Sequence, residues 1–172
     1  MSTTMDKARD IYIVGLRNQH AVEHQAIELL ERQIGRLENY PEMQARMHEH
    51  LAESQEQARR IEELLDQLGT KSSTLKDLGL AWLGNMLALG HAPAPDEVVK
   101  NTFANFAFEH YEIASYKSLL TLTEVAGLQA GSSALTQSLR EEERMAQWID
   151  EHIAPTTRRF AERSAAGQKA GV

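Results

Sequence analysis

The chain has 172 residues, 42% of them hydrophobic, and a formal net charge of -7 from 25 acidic and 18 basic side chains. That length supports one domain with a sizeable core, and an acidic balance without a basic cluster disfavours a nucleic-acid or anionic-membrane surface. The lack of cysteine excludes disulfides, thiolate metal sites and cysteine nucleophiles, so only oxygen and imidazole remain as ligands.

The opening "MSTTMDKARD" lacks the apolar region of a signal peptide. No apolar run approaches bilayer length, and a cytoplasmic protein without membrane contact is expected. From Lys7 to Leu37 the apolar positions Tyr12, Leu16, Ile27, Leu30 and Ile34 recur in steps of three and four, which predicts one long helix. "ENYPEM" breaks it, Pro41 is suited to a helix start, and a second helix follows to Leu68, closed by Gly69. So short a link makes the two helices antiparallel. After "GTKSST", Leu75 to Leu89 predicts a shorter apolar helix, anchored by Trp82, Met86 and Leu89, before "GHAPAPDE" interrupts the pattern.

Asp96 is placed to cap the next helix, which runs to Ala126. "GLQAGSS" turns the chain, and a fourth helix covers Ala134 to Ile153, stopping ahead of Pro155 with a short helical extension to Arg163. The tail "SAAGQKAGV", residues 164–172, is small and polar and is expected to be disordered beyond a single domain of residues 1–163. Two antiparallel pairs separated by so long a connection predict an all-α, ferritin-like four-helix bundle whose crossover carries the short extra helix.

Carboxylates stand where leucines belong in three of these helices. Taking about 100° per residue, Glu109 lies within roughly 40° of Ile113, Tyr116 and Leu120, and Glu23 lies within roughly 40° of Leu16, Ile27, Leu30 and Ile34. Glu142 faces in with Leu135, Leu139, Ala146, Ile149 and Ile153, whereas Glu141 and Glu143 point roughly 100° to either side. Glu112 is offset from Glu109 by roughly 60°. In the second helix the stripe favours His50, Ser54 or Gln57 as inward polar residues and leaves Glu53 at an edge. A lone inward glutamate is ordinarily capped by a cation or a tyrosine, but three on three helices repel one another, and bound cations remove both the desolvation and the repulsion. Dinuclear iron and manganese bundles are built this way, with a glutamate from each of two helices and Glu-x-x-His from each of the others.

The segments "HAVEHQ", "HLAESQEQ", "FEHYEIASYKSLL" and "REEERMAQWIDEH", in this order and with the long crossover between them, resemble the YciE/YciF family of bacterial ferritin-like proteins over residues 8–155. "FEHYEIASY" also looks like the third helix of rubrerythrins, where two glutamates serve a di-iron centre. The resemblance implies a homodimer, a link to stress responses and two iron or manganese ions per chain, with peroxide or dioxygen as oxidant. By position it places metal ligands at Glu23, Glu53, Glu109, Glu112 and Glu142. Glu53 and Glu142 would bridge, Glu23 and Glu109 would be terminal, and Glu112 exchangeable. Glu112 and Tyr116 are then the candidate catalytic residues, and Tyr116 and Gln57 can orient a carboxylate by hydrogen bonding. Glu-x-x-His is missing twice, since Glu56 follows Glu53 and Met145 follows Glu142 at that spacing. His50, one turn before Glu53, is the candidate imidazole ligand in compensation. The other reading is a non-catalytic, stress-associated bundle whose carboxylates share protons. The remaining histidines, including His20, His24, His48, His110 and His152, show no repeated ligand spacing and are expected mostly on the surface.

Overall fold

The computed structural model describes residues 2–70 and 96–171. Four long helices make up most of them: α1 Ser2–Ile34, α2 Pro41–Gln67, α3 Glu97–Ala126 and α4 Ser132–Ala165, with a single 3-10 turn, Gln129–Gly131, ahead of α4. The short helix expected at Leu75 to Leu89 lies outside the described residues, and none of the described helices is long and apolar enough to cross a membrane.

The helix ends follow local chemistry. Pro41 opens α2, where its missing N–H costs nothing. Gly69 and Gly127 adopt left-handed φ values of 71° and 69° just past α2 and α3, letting the N–H groups of Thr70 and Leu128 turn back onto the carbonyls of Leu65 and Thr123. Asp96 does not cap α3 with its side chain; it pairs instead with Lys100 at 2.8 Å. The expected stop before Pro155 is also corrected, because α4 continues through that proline for another ten residues. Tertiary contacts offset the lost backbone bond: Phe160 packs against the core, Thr156 is buried, and the Arg159 guanidinium lies 5.5 Å from the Tyr40 ring centre. The following residues make main-chain contacts of their own, with the Tyr40 hydroxyl donating to the Ala170 carbonyl at 2.6 Å and Asn39 donating to Lys169 and Gly171.

Two apolar clusters mark the ends of the bundle. The first joins Leu30 and Ile34 of α1, Met43 and Met47 of α2, Val98 of α3, and Met145 and Ile149 of α4. The second joins Tyr12 and Leu16, Ile61, Leu64 and Leu65, Tyr116 and Leu119, and Leu135. Reading the numbers across the clusters, α1 is antiparallel to α2 and α3 to α4, whereas α2 and α3 run the same way. Parallel α2 and α3 between two antiparallel pairs is the helix order of the ferritin-like arrangement. Between the two clusters all four helices bring polar side chains inward, beside a small apolar cluster of Val22, Ala26 and Phe108 between α1 and α3.

Candidate metal centre

Each helix brings one or two inward polar side chains to this middle layer: Gln19 and Glu23 from α1, His50 from α2, Glu109 and Glu112 from α3, and Glu142 from α4. All are at least 95% buried. Heptad-like spacing that keeps Leu16, Leu30, Ile113 and Ile149 inside necessarily carries these residues inside with them. The cluster is thus a consequence of the same stripe that makes the core.

Two subsets can be distinguished. His50 Nε2 lies 3.2 Å from Glu109 Oε2 and 3.7 Å from Glu142 Oε2, and one donor atom from each of the three residues falls within 4.8 Å of the others. Beside them, Glu23 and Glu112 are linked through Gln19, whose amide nitrogen donates to Glu23 Oε1 at 2.9 Å and to Glu112 Oε1 at 3.3 Å. The Tyr116 hydroxyl donates to the same Glu23 oxygen at 2.5 Å. Tyr116 therefore serves Glu23 across the α1–α3 contact.

Glu53 stands behind His50, away from this cluster. Its Oε2 is 3.1 Å from His50 Nδ1 and 3.1 Å from an Arg46 nitrogen, and its Oε1 is 3.3 Å from Arg144. Burial pushes its carboxyl upward, but the His50 hydrogen bond and the Arg46 charge outweigh that and hold it down at about 2. An ionised carboxylate only accepts, so Nδ1 of His50 carries a proton and Nε2 faces Glu109 and Glu142. Periodicity had singled out His50, Ser54 and Gln57 on α2, and these three are buried while the Glu53 side chain keeps 23% exposure.

The electrostatics of the cluster are frustrated without a cation. Burial raises Glu23 to about 7 against the opposing hydrogen bonds of Tyr116 and Gln19. Burial and then the charges of Glu23, Glu142 and Glu109 push Glu112 well above its ordinary range. Glu142 is likewise raised by burial, with the His50 charge opposing and Glu109 adding to the rise. Glu109 is desolvated too, but His50 holds it below the usual value; in return Glu109 and Glu142 raise His50 well above its own, against its burial. Among the described residues, Glu23 Oε2 and both Glu142 oxygens are buried without a hydrogen-bond partner. Glu109 Oε2 has His50 Nε2 as an ion-pair neighbour at 3.2 Å and no hydrogen-bond partner beyond it. Orphaned carboxylate oxygens converging from α1, α3 and α4, with one imidazole from α2, fit a hard or borderline metal cation.

Sequence reasoning missed Gln19, whose position four residues before Glu23 was the available signal. It placed Glu141 off the inward stripe, and Glu141 is nonetheless buried. Arg60 of α2 reaches across and binds it through two nitrogens, at 2.6 Å and 3.1 Å. Gln57, a candidate to orient a ligand, donates to Glu141 at 3.0 Å.

A family model described as "Domain of unknown function (DUF892)" matches residues 7–162. Protein YciF of Escherichia coli K12 is 28% identical over 149 residues, covering 80% of this chain and 85% of that protein. A protein of known structure from Xanthomonas campestris pv. campestris is 30% identical and superposes with a TM-score of 0.79 over 92% of this chain and 99% of its own. The structure described as the E. coli stress protein YciF superposes with a TM-score of 0.72 at 22% identity, covering 86% of this chain and 94% of that one, which speaks to the fold.

Proposed function

Since the chain belongs to the DUF892 family, with YciF among its relatives, we propose that it is a ferritin-like metal-binding protein that serves peroxide- or dioxygen-linked redox chemistry or metal handling under stress. His50, Glu109 and Glu142 would hold a first iron or manganese ion, and Glu23 and Glu112 a second. The observation that carries this reading is the set of buried, unpartnered carboxylate oxygens facing one another in the bundle centre. One imidazole among oxygen donors suits iron or manganese better than softer ions. The stress association rests on the description of the E. coli relative as a stress protein.

Such an ion, when bound, would supply one-electron redox chemistry that no side chain in the layer provides. The residues around it have separable tasks. Glu53, fixed by Arg46 and Arg144, accepts the Nδ1 proton of His50 and so keeps Nε2 directed at Glu109 and Glu142, an arrangement that orients an imidazole ligand and raises its basicity. Gln19 bridges Glu23 and Glu112, and Tyr116 donates a hydrogen bond to Glu23 Oε1, which leaves Oε2 as the oxygen without a partner. The apolar clusters above and below exclude bulk water from the layer. Glu112 accepts from Gln19 and, offset by roughly 60° from Glu109 on α3, would be the exchangeable carboxylate.

A second reading has its own support. The upward shifts of Glu23, Glu112 and Glu142, with the His50–Glu109 ion pair, describe a cluster that can neutralise itself with shared protons. A purely structural bundle would need nothing more. Elemental analysis of protein purified gently from iron- or manganese-supplemented medium separates the two: the metal-binding reading expects at least one ion per chain, lost in Glu109→Gln and Glu142→Gln. Content well below one ion in the unaltered chain would leave the structural reading in place.

A further inference from the structure

α1 offers a second set of donors to the outside of the bundle. Gln19 and Glu23 face the interior, and the residue after each, His20 and His24, stands on the adjoining outer face of the same two turns. The two imidazoles converge: their Nε2 atoms are 3.3 Å apart, with the rings edge to face and their centres 4.5 Å apart. Glu62 of α2 joins them, its Oε1 lying 3.0 Å from His20 Nε2, and one donor atom from each residue falls within 4.8 Å of the other two. The His20 side chain is mostly covered, at 12% exposure, while Glu62 at 52% is able to adjust.

Protons serve this arrangement poorly. A proton on His20 Nε2 can be donated to Glu62, and the Nε2 of His24 then faces a nitrogen with no lone pair to offer. A proton on His24 Nε2 instead leaves His20 and Glu62 as two acceptors facing each other. A metal ion accepts from all three at once. Nitrogens bound to zinc at about 2.0–2.1 Å with tetrahedral angles are separated by about 3.3–3.4 Å, and narrower angles bring donors to about 3.0 Å. The His20–His24 and His20–Glu62 separations of 3.3 Å and 3.0 Å match edges of such a polyhedron.

We propose that His20, His24 and Glu62 form an external site for a borderline divalent cation of the zinc type, distinct from the carboxylate-rich centre, which ties α1 to α2. Two imidazoles and one carboxylate leave a fourth position to solvent water. The imidazole-rich donor set favours zinc, nickel, copper(II) or cobalt over the iron or manganese suited to the interior. The external site does not depend on the interior one: its donors are other side chains, on the outer faces of α1 and α2.

The test is zinc titration of the full chain by calorimetry at about pH 7.5, because metal binding at imidazole and carboxylate ligands competes with protons. It compares the unaltered protein with His24→Ala, an exposed change, and repeats the pair in a Glu142→Gln background that weakens the interior cluster. The expected result is one zinc event weakened at least about tenfold by His24→Ala in both backgrounds and retained in Glu142→Gln alone. Imidazole NMR signals of His20 and His24 in the unaltered protein should shift together as zinc is added, a readout that needs no variant to fold. Equal zinc affinity with and without His24, loss of the event in Glu142→Gln alone, or unmoved His20 and His24 signals would each overturn the proposal. Iron or manganese content unchanged by His24→Ala keeps the interior reading separate from this one.

Discussion

A displacement of three residues along α2 separates the two roles open to a polar side chain there. Glu53 looked like a ligand by family position, yet it sits on the outer side of His50 between two arginines, and His50 is the α2 side chain that reaches Glu109 and Glu142. Burial follows angle around the helix, and Glu53 is roughly 60° from His50 on that wheel. Glu23, Glu109 and Glu142 were legible for the same reason. The Arg60–Glu141 and His20–Glu62 contacts were not, since a bond between helices has no signature in the spacing of either one. The distinction between ligand and support is measurable. Glu53→Gln should keep the fold and weaken manganous-ion binding about 10–100-fold by releasing the His50 ring, whereas Glu109→Gln should remove the stoichiometric event. Calorimetric titration of both variants distinguishes them, and equal losses would mean that Glu53 is itself a ligand.

Among the helices, α4 departs most from what its sequence suggests. Helix existence and number were readable from period and breakers, but Pro155 was given more authority than it has. Local propensity places its cost near about 3 kcal/mol in a helix interior, and the packing of Thr156 and Phe160 with the Arg159–Tyr40 contact outweighs it. Pro155 is exposed, so Pro155→Ala should relieve part of that cost without disturbing a contact. An increase of about 1–2 kcal/mol in urea-unfolding stability is expected; a decrease would show that the proline sets a bend the α4 packing requires. Glu141 makes the complementary point. Its angle was read correctly as off the central stripe, but Arg60 extends the buried zone by supplying a two-pronged partner with Ser138 and Gln57 beside it. Arg60→Met should therefore cost about 3–5 kcal/mol by leaving a buried carboxylate without its cation, and adding Glu141→Leu should restore most of the loss. Chemical denaturation of the single and double variants measures it.

At the scale of the whole molecule the bundle is two apolar ends holding a polar middle, and that division makes stability a function of pH and metal together. In the metal-free protein Glu23 has a folded pKa of about 7, raised from an ordinary 4.5. A group whose folded pKa is raised binds its proton more tightly when folded. Its contribution is fully present below the unfolded value and is lost as pH climbs through the folded one. For Glu23 alone this amounts to roughly 3 kcal/mol between about pH 4.5 and 8, and Glu112 and Glu142 are shifted in the same direction. Glu53 acts oppositely but in another window: its folded value of about 2 gives stability that is present above the unfolded pKa and lost only on acidification toward pH 2. Metal-free protein should therefore melt at progressively lower temperature from about pH 5 to 8. Metal-loaded protein should not, because the ion requires the carboxylates ionised and competes with protons for them. The quantity to measure is the difference in melting temperature between protein saturated with manganous ion and chelator-treated protein, taken at several pH values across that range. A difference that widens with pH is the expected result. If it stays flat, protein cations already satisfy the inner carboxylates, and the orphaned oxygens of Glu23, Glu109 and Glu142 are not a metal site.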